Sequence, residues 1–397
     1  MNAVVRPGLL RGAVAAPPSK SHAHRLLIAA ALGDADCRIL RPGDSEDIAA
    51  TVRCLTALGA EIRREDDALT VRPGRLSAAS ALDCGESGST LRFLLPVLCA
   101  RGCDVTLTGR GRLPERPMEP LLSVLRAHGA SIIGDRLPLQ VCGGLHPGTY
   151  ALPGSVSSQY FTGLLFALPL LPGDSTLTYT SPLESRPYVD LSLSVLRAFG
   201  IRIEETASGW RVPGNQKYVS PSAVETEGDW SAAAFFLGAK ALGSAVNVLG
   251  LDPASCQGDK AVEEMLRRIG GEIDVSDTPD LLPVLSAVAA ATPGMTTRFT
   301  GAARLRIKES DRISAMADAI RALGGEAEEQ PDGLTVHGKA LAGGVVDGMG
   351  DHRIVMSAAV AATVCASPVT ILGAEAVNKS YPGFWRDFEA LGGHVHV

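Results

Sequence analysis

The sequence lacks a strong charge of either sign, a long apolar run and the common nucleotide-binding fingerprints. Its 37 basic and 43 acidic residues give a formal net charge of −6 at pH 7. That balance excludes the broad positive field that attracts nucleic acid or an anionic membrane. The apolar stretches, such as residues 161–171, contain Gly or Pro and are too short to span a bilayer. Any site for anionic substrates must therefore be built locally.

Metal and disulfide signatures are also missing. The eight cysteines include no Cys-x-x-Cys pair, and no histidine lies at zinc-ligand spacing from two of them. The pattern predicts reduced, mostly buried thiols of a cytoplasmic protein. The first ten residues carry no long apolar segment, so we expect no signal peptide.

The composition is that of a folded chain with more than one domain. Hydrophobic residues make up 46% of the 397 positions and charged residues 20%, with a mean hydropathy of +0.15. These values argue against disorder. At roughly 100–200 residues per domain, the length predicts two or three domains.

An internal repeat is the main feature that the sequence does contain. Six times, the end of an amphipathic helix is followed by a glycine and then by a short alternating strand. The glycines are Gly59, Gly129, Gly200, Gly270, Gly324 and Gly392, so successive intervals are 70, 71, 70, 54 and 68 residues. We expect each glycine in the left-handed conformation that ends a helix. Six mixed α/β units favour two lobes of three, and the one short interval indicates a trimmed unit.

Seven short segments combine Lys or Arg with Ser, Gly or Pro, and an eighth, residues 154–159, carries three serines and a glutamine instead; most of the eight lie near predicted helix starts. A helix N-terminus offers free N–H groups to an anion, and a Ser can cap it. Only seven of the 37 basic residues are lysines, and three of these lie in such segments. Because lysine is a compact charge that can lose a proton, this placement suggests chemistry as well as binding. The segments are residues 17–25, 84–92, 114–117, 154–159, 185–188, 306–312, 350–353 and 378–382.

The motif Lys20-Ser21-x-x-x-Arg25, together with Lys-Glu-Ser-Asp-Arg at residues 308–312, resembles the 5-enolpyruvylshikimate-3-phosphate (EPSP) synthase family, the 3-phosphoshikimate 1-carboxyvinyltransferases. The resemblance runs from residue 12 to residue 385, with all the segments in family order. It implies an inside-out α/β barrel of two lobes, each with three βαβαββ repeats. Lobe one would be residues 1–18 plus 228–397, and lobe two residues 19–227.

The resemblance also implies an activity. The family transfers the enolpyruvyl (1-carboxyvinyl) group of phosphoenolpyruvate (PEP) to the 5-hydroxyl of shikimate 3-phosphate, through a tetrahedral intermediate that loses phosphate. This step belongs to chorismate and aromatic amino acid biosynthesis. The implied catalytic residues are Asp280 as base, Glu309 as acid, and Lys20. The implied substrate-binding residues are Lys20, Ser21, Arg25, Gly88, Arg116, Ser157, Ser158, Gln159, Ser185, Tyr188, Asp280, Lys308, Arg312, Arg353 and Lys379.

The implied roles divide between the lobes. Lobe two would supply most of the hydroxyl-rich shikimate site, and lobe one the acid, the base and part of the PEP site. An acid that is ready to donate at neutral pH needs a raised pKa. Because Lys308 and Arg312 would oppose this, we expect both to point at substrate anions. We expect no metal, no cofactor, no nucleic acid or membrane partner, and a monomer.

Two positions depart from the pattern, and several alternatives remain. Glu86 and Arg304 stand where some family members have Asn. The bare Gly88 leaves room for a PEP-like inhibitor and predicts sensitivity to glyphosate. The alternatives are UDP-N-acetylglucosamine enolpyruvyl transferase, RNA 3′-phosphate cyclase and an inactive two-lobed binding protein. The first usually carries a reactive Cys in its mobile loop, but residues 108–117 contain none.

Overall fold

The computed structural model describes residues 1–74, 76 and 81–397. Within it the chain divides into two compact units. Unit 1 comprises Met1–Pro17 and Glu227–Val397, and unit 2 comprises Pro18–Thr226. The chain therefore begins in unit 1, builds the whole of unit 2, and returns to complete unit 1.

Strands and helices alternate through both units. The strands are β1 (Asn2–Arg6), β2 (Arg11–Ala15), β3 (Cys37–Leu40), β4 (Glu61–Glu65), β5 (Ala68–Arg72), β6 (Ala81–Asp83), β7 (Asp104–Thr108), β8 (Ser131–Ile133), β9 (Leu139–Cys142), β10 (Thr149–Leu152), β11 (Ser175–Tyr179), β12 (Glu204–Thr206), β13 (Gly209–Val212), β14 (Ala223–Glu225), β15 (Ala245–Leu249), β16 (Glu272–Asp274), β17 (Thr296–Thr300), β18 (Glu326–Gln330), β19 (Gly333–His337), β20 (Gly344–Asp347), β21 (Val369–Leu372) and β22 (His394–His396). The helices are α1 (Lys20–Leu32), α2 (Glu46–Ala57), α3 (Gly88–Arg101), α4 (Leu121–Ala127), α5 (Ser158–Ala167), α6 (Arg186–Ala198), α7 (Trp230–Ala241), α8 (Val262–Arg267), α9 (Leu282–Ala290), α10 (Arg312–Ala322), α11 (His352–Ala362) and α12 (Phe384–Ala390). Short 3-10 turns lie at Leu113–Glu115, Leu168–Leu170, Gly258–Ala261, Pro279–Leu281, Ala303–Ile307 and Ala374–Lys379.

One sheet plan recurs in both units. Two parallel strands flank a helix, and an antiparallel hairpin then adds to the second strand, as in the order β6-β7-β9-β8. The sheets β10-β11-β13-β12 and β16-β17-β19-β18 repeat it with consecutive strands. Two further sheets, β14-β3-β5-β4 and β20-β21-β1-β22, repeat it with one strand taken from a distant part of the chain. The four-stranded unit is therefore the βαβαββ repeat that the family resemblance implies.

The remaining repeat, which contains Gly270, is trimmed. Strand β15 pairs with β2, in parallel, and among the described residues the two form a two-stranded sheet. After α8 the chain passes Gly270 and enters β16 of the next repeat without forming a hairpin. The missing hairpin accounts for the short interval between Gly270 and Gly324.

The repeat glycines end their helices as expected. All six have positive φ, between 75° and 104°. At Gly59, for example, the glycine N–H bonds to Thr56 O and the Ala60 N–H to Leu55 O. This pairing closes the helix C-terminus, and it requires a backbone conformation that side chains disfavour.

The first helix of each repeat lies inside its unit. In α5 every residue from Tyr160 to Ala167 is buried, and α9 is buried from Leu282 to Ala290. In contrast, α6 buries only one stripe, which includes Val189, Val195 and Leu196. Close helix contacts use glycine: a methyl group on Gly238 of α7 would lie 2.8 Å from Val284 of α9. Helices buried on all sides, with sheets outside them, give each unit one apolar core.

The part of the chain that the structure describes contains no helix that is both apolar enough and long enough to cross a bilayer. Six of the eight cysteines are buried, Cys142 is half-buried and Cys256 is exposed. The cysteines are free thiols, as the sequence predicts.

Candidate active site

The predicted site residues of both units gather at helix N-termini. Lys20 begins α1, Gly88 begins α3, Ser158 begins α5 and Arg312 begins α10. The preceding residue caps each of these helices with a side-chain oxygen. Because the first N–H groups of a helix carry partial positive charge, such ends suit anionic ligands.

In unit 2, Arg25 holds α1 and α6 together beside the predicted shikimate site. Its Nε donates to Ser192 Oγ at 2.8 Å, and its Nη atoms donate to Ser21 O at 2.5 Å and Tyr188 O at 2.8 Å. The guanidinium lies 5.0 Å from the centroid of the Phe93 ring. Burial lowers the pKa of Arg25 to about 9, which still leaves it charged at neutral pH. Three of the predicted residues, Ser21, Arg25 and Tyr188, are thus in direct contact.

Lys20 has an acidic partner that the sequence did not reveal. Its Nζ lies 2.8 Å from Asp47 Oδ2, and the two side chains are 17% and 13% exposed. Asp47 lies in the first turn of α2, which Ser45 caps. The pair fixes the ammonium near the N-terminus of α1. Asp47 lies outside the basic and hydroxyl-rich segments, so no motif marks it in the sequence.

Around Gly88, two arginines approach the start of α3. A methyl group on Gly88 would lie 2.8 Å from Arg92 Nη1 and 2.9 Å from Arg116 Nη1. Arg92 is buried and donates to Gln159 Oε1 at 2.8 Å and to Pro117 O at 3.0 Å. Gln159 Nε2 donates in turn to Ser89 Oγ. Glycine at position 88 is therefore what allows both guanidinium groups to approach the α3 N-terminus.

The hydroxyl-rich loops lie at the starts of α5 and α6. Ser157 caps α5 by accepting from Gln159 N, and Ser158 is buried. Ser185 is 2% exposed and has φ 55°, an unfavourable value for a residue with a side chain. A backbone conformation held at such cost is typical of functional sites. Ser185 directly precedes α6, whose Tyr188 N–H bonds to Ser185 O.

In unit 1, Asp280 lies among three cations. Arg312 Nη1 donates to its Oδ1 at 2.8 Å, and Arg353 Nη2 donates to its Oδ2 at 2.9 Å. Lys308 Nζ lies 3.9 Å from Oδ1. Burial alone would raise the pKa of Asp280, but the positive charges of Arg353, Lys308 and Arg312 hold it well below its ordinary value.

Arg312 is the centre of this cluster, and one expectation about it is wrong. The sequence led us to expect that Arg312 points at substrate anions instead of Glu309, but its Nη2 donates to Glu309 Oε2 at 2.8 Å. Its Nε also donates to Asp351 Oδ2 at 2.8 Å. The side chain is 2% exposed, and a buried guanidinium must be compensated by carboxylates. Burial would lower its pKa, but Asp351, Glu309 and Asp280 raise it.

Asp351 completes the cluster from the start of α11. It is fully buried and accepts from Ser310 Oγ at 3.0 Å as well as from Arg312 and Arg353 N. Lys379 reaches the same helix end, where its Nζ donates to Gly350 O at 2.8 Å. The segment at residues 350–353 stands out in the sequence because of the basic residue Arg353. The structural importance of its aspartate could not be read without the fold.

A further buried acid, Asp259, lies near Asp280 and Arg353. It occupies the 3-10 turn Gly258–Ala261 and is 3% exposed. Burial, followed by the charge of Asp280, raises its pKa to about 6. Sequence reasoning missed this residue, since no motif surrounds it.

The two positions that depart from the family pattern have local partners. Arg304 Nη2 donates to the backbone oxygen of Ser276 at 2.6 Å, so part of its guanidinium is engaged with the backbone. Glu86 packs against Gly111, where a methyl group would clash with its carboxylate. Both side chains are thus accommodated at positions where some family members have asparagine.

The geometry of each unit defines a class of site. Unit 2 presents hydroxyls and cations at helix starts, which suits phosphate groups. Unit 1 presents two partly exposed carboxylates, Asp280 and Glu309, bonded to one guanidinium. Among the described residues, no group of His, Cys, Asp and Glu side chains could hold a metal ion. The features of unit 2 suit a phosphorylated, anionic ligand, and those of unit 1 suit proton transfer.

The fold is that of enolpyruvyl transferases. The structure of the enolpyruvyl transferase NikO from Streptomyces tendae aligns with a TM-score of 0.79 over 100% of this chain and 98% of that one, at 19% identity. EPSP synthase from Acinetobacter baumannii aligns with a TM-score of 0.83 over 100% of both chains, at 28% identity. The predicted fold class, an α/β protein of repeated sheet and helix units, is confirmed.

The family follows from the sequence comparisons. The family model of EPSP synthase (3-phosphoshikimate 1-carboxyvinyltransferase) matches residues 4–278 and 270–388. Relatives named 3-phosphoshikimate 1-carboxyvinyltransferase, from Clostridium novyi (strain NT) and Clostridium acetobutylicum, are each 41% identical. These alignments cover 99% and 100% of this chain and 98% and 99% of the relatives. The chain belongs to the EPSP synthase family, and the predicted resemblance is confirmed.

Proposed function

We propose that this protein transfers the enolpyruvyl group of PEP to the 5-hydroxyl of shikimate 3-phosphate and releases phosphate. The observation that carries the proposal is the pair Asp280 and Glu309, which bond at 2.8 Å each to the single guanidinium of Arg312. The reaction needs one group to accept a proton and another to donate one. Family membership supplies the substrates, and the pair supplies the proton chemistry.

The residues of unit 2 would hold the substrates. The phosphate of shikimate 3-phosphate would bind the hydroxyls of Ser157, Ser158 and Ser185, with Gln159 and Tyr188 beside it. Ser21 and Arg25 would contact the same substrate. The PEP phosphate would bind at the start of α3, where Gly88 leaves space and Arg116 supplies charge. Lys20, fixed by Asp47, would contribute a positive charge to both substrates.

The residues of unit 1 would carry out the chemistry. Asp280 would take the proton of the 5-hydroxyl as that oxygen bonds to C2 of PEP. Glu309 would give a proton to the methylene carbon, which becomes a methyl group. In the second step phosphate leaves C2 and receives the proton that Asp280 had taken, and Glu309 takes back a methyl proton to restore the double bond. Arg312, Arg353 and Lys379 would offset the negative charge of PEP, and Lys308 that of shikimate 3-phosphate.

The surroundings of the carboxylates support Asp280 as the base, and the family resemblance is the ground for Glu309 as the acid. Asp280 is ionised before substrate arrives, because three cations lower its pKa, and this is the form that a base requires. The same cations make it a weak base. Substrate anions bound to Arg353 and Lys308 would offset those charges and strengthen it. Glu309 is 20% exposed, whereas Asp351 is fully buried, so Glu309 is the carboxyl group better placed to reach a substrate.

A phosphate-release assay tests the proposal. The protein is mixed with PEP and one of three acceptors: shikimate 3-phosphate, shikimate or UDP-N-acetylglucosamine. We expect stoichiometric phosphate with shikimate 3-phosphate and far less with the other two. Release with UDP-N-acetylglucosamine alone would assign the chain to the sister reaction, and no release with any acceptor would refute a transferase. We further propose that the protein works as a cytoplasmic monomer without a cofactor.

A further inference from the structure

A chain of four buried polar side chains connects α1 with the start of α3 in unit 2. His24 Nδ1 lies 2.8 Å from Thr51 Oγ1, which lies 2.7 Å from Thr90 Oγ1. The Thr90 hydroxyl donates to Ser87 Oγ at 2.8 Å. All four side chains are 0% exposed. We call His24, Thr51, Thr90 and Ser87 the buried relay; the proposed chemistry gives it no role.

The bonds of the relay run in one direction. Because the Thr90 hydroxyl donates to Ser87, its oxygen is left to accept from Thr51. The Thr51 oxygen then accepts from the Nδ1–H of His24. The reverse direction would put the ring proton on Nε2, which is buried and has no hydrogen-bond partner among the described residues. A buried N–H without an acceptor is rarer in proteins than an unused lone pair.

The surroundings of His24 keep its ring neutral. Burial, followed by the positive charges of Lys20 and Arg25, lowers its pKa well below the ordinary value. The ring lies edge-on to Phe93, with 6.4 Å between centroids. A neutral ring that is held in place can donate only from Nδ1 in this geometry, so it acts as a fixed hydrogen-bond donor.

The far end of the relay is the N-cap of α3. Ser87 Oγ accepts both from the Thr90 hydroxyl and from the Thr90 backbone N–H, the second at 3.2 Å. The Thr90 hydroxyl thus locks the capping side chain in place. The next residue is Gly88, against which Arg92 and Arg116 are packed. The relay therefore fixes the orientation of the first N–H groups of α3 beside Gly88.

We propose that His24 is a positioning residue for the PEP phosphate: through Thr51 and Thr90 it holds the Ser87 cap and the first N–H groups of α3 beside Gly88 and Arg116. The inference rests on the proposed function, because that function places the PEP phosphate at Gly88. It adds a residue that would not touch either substrate. Substitution of His24 should therefore weaken the binding of PEP and leave the binding of shikimate 3-phosphate unchanged.

The first test is spectroscopic and does not require activity. The ¹⁵N chemical shifts of the His24 ring, assigned by loss of the signals in His24→Asn, report which nitrogen carries the proton. We expect a neutral ring protonated on Nδ1 between pH 6 and pH 8. Protonation on Nε2, or a ring that titrates in this range, would overturn the relay.

The second test is kinetic. Thr51→Val removes the middle hydroxyl with little change of shape, and we expect the KM for PEP to rise about three- to ten-fold, the effect of one lost hydrogen bond. The kcat and the KM for shikimate 3-phosphate should stay within about two-fold, because the catalytic groups are untouched. His24→Leu should match Thr51→Val, and the two changes combined should not add, since each breaks the same chain.

Two further variants separate positioning from a general loss of structure. His24→Asn keeps a donor near the place of Nδ1 and should restore the KM for PEP to within about two-fold of the wild type. Thr297→Val is the matched control, because Thr297 is equally buried in β17 and its hydroxyl accepts a bond from Gly270 N. It should leave both KM values unchanged.

The outcomes distinguish this proposal from the proposed function. If the wild type releases no phosphate, the proposed function is refuted. The tautomer of the His24 ring still tests whether the relay exists. If Thr51→Val raises the KM of both substrates equally, or if His24→Asn is as impaired as His24→Leu, the positioning role is wrong. If His24→Leu does not fold, Thr51→Val and His24→Asn still decide the question.

Discussion

Replacing Arg312 by Met should destabilise unit 1 far more than replacing a partly exposed arginine close to it in sequence. Arg312 is 2% exposed and bonds to Asp280, Glu309 and Asp351. Methionine keeps much of the volume but leaves Asp351, which is fully buried, without its main cation. Breaking a buried ion pair costs about 3–5 kcal/mol. Because the three pairs share one guanidinium, we expect about this total and not three times as much.

Arg306→Met is the matched control. Arg306 pairs with Asp311 at 2.9 Å and with Glu329 at 3.6 Å, and its side chain is 29% exposed. Arg306 also donates to the backbone oxygens of Gln330 and Pro331. Water and salt screen its ion pairs, so their loss should cost at most about 1 kcal/mol, and the whole substitution should cost well below that of Arg312→Met. The two variants thus compare a buried and a partly exposed ion-paired arginine within the same unit.

The destabilisation by Arg312→Met should also depend on pH. In the wild type, burial would raise the pKa of Asp351, but Arg312, together with His352, lowers it. A carboxylate with a lowered pKa contributes stability above its unfolded pKa of about 3.9, and the contribution is lost as the pH falls through the folded value. Without Arg312, burial should raise that pKa above the unfolded value. Asp351 then destabilises the variant at neutral pH, and the deficit should shrink as the pH falls from 8 to 5.

Urea unfolding followed by hydrogen exchange in α10 and α11 measures this effect in unit 1 alone. The reasoning is refuted if Arg312→Met costs less than about 1 kcal/mol, the range of an exposed pair. It is also refuted if the deficit is the same at pH 5 and pH 8, or if Arg306→Met costs as much.

Three further predictions concern the reaction. Gly88→Ala should raise the KM for PEP about ten-fold or more, because the added methyl would lie within 3 Å of the Arg92 and Arg116 guanidinium groups; an unchanged KM in steady-state assays would contradict this packing. The wild type should be inhibited by millimolar glyphosate at low PEP, and undiminished turnover there would show that Gly88 does not admit the inhibitor. Glu309→Ala should lower kcat by about 10²–10⁴-fold, the range of general acid catalysis, with little change in shikimate 3-phosphate binding measured by calorimetry; a loss confined to KM would rule out the acid role.

The repeat architecture could be predicted because its signal is local. Each glycine such as Gly129 follows its own helix, so the left-handed turn can be read from a few neighbouring residues. The trimmed repeat could also be recognised, since a missing hairpin shortens the interval after Gly270. The completion of sheets by β14 and by β1 could not be seen, because these strands join partners far away in the sequence.

The site was only partly accessible to sequence reasoning. Segments with Lys, Arg and Ser at helix starts identified the residues that we propose to bind anions. The partners that control these residues are acids or hydroxyls without a motif, such as Asp47 beside Lys20 and Asp351 beside Arg312, 39 residues away in the sequence. The direction in which Arg312 points was predicted wrongly, because the demand of buried carboxylates for a cation appears only once the fold is known.

The central claim is that this chain moves the enolpyruvyl group to shikimate 3-phosphate, and ³¹P NMR of the reaction mixture tests it most directly. The account predicts that the PEP signal disappears while an equal amount of inorganic phosphate appears, and that the signal of the shikimate 3-phosphate group shifts but keeps its intensity. Loss of that signal, or PEP consumption that does not require shikimate 3-phosphate, would contradict it.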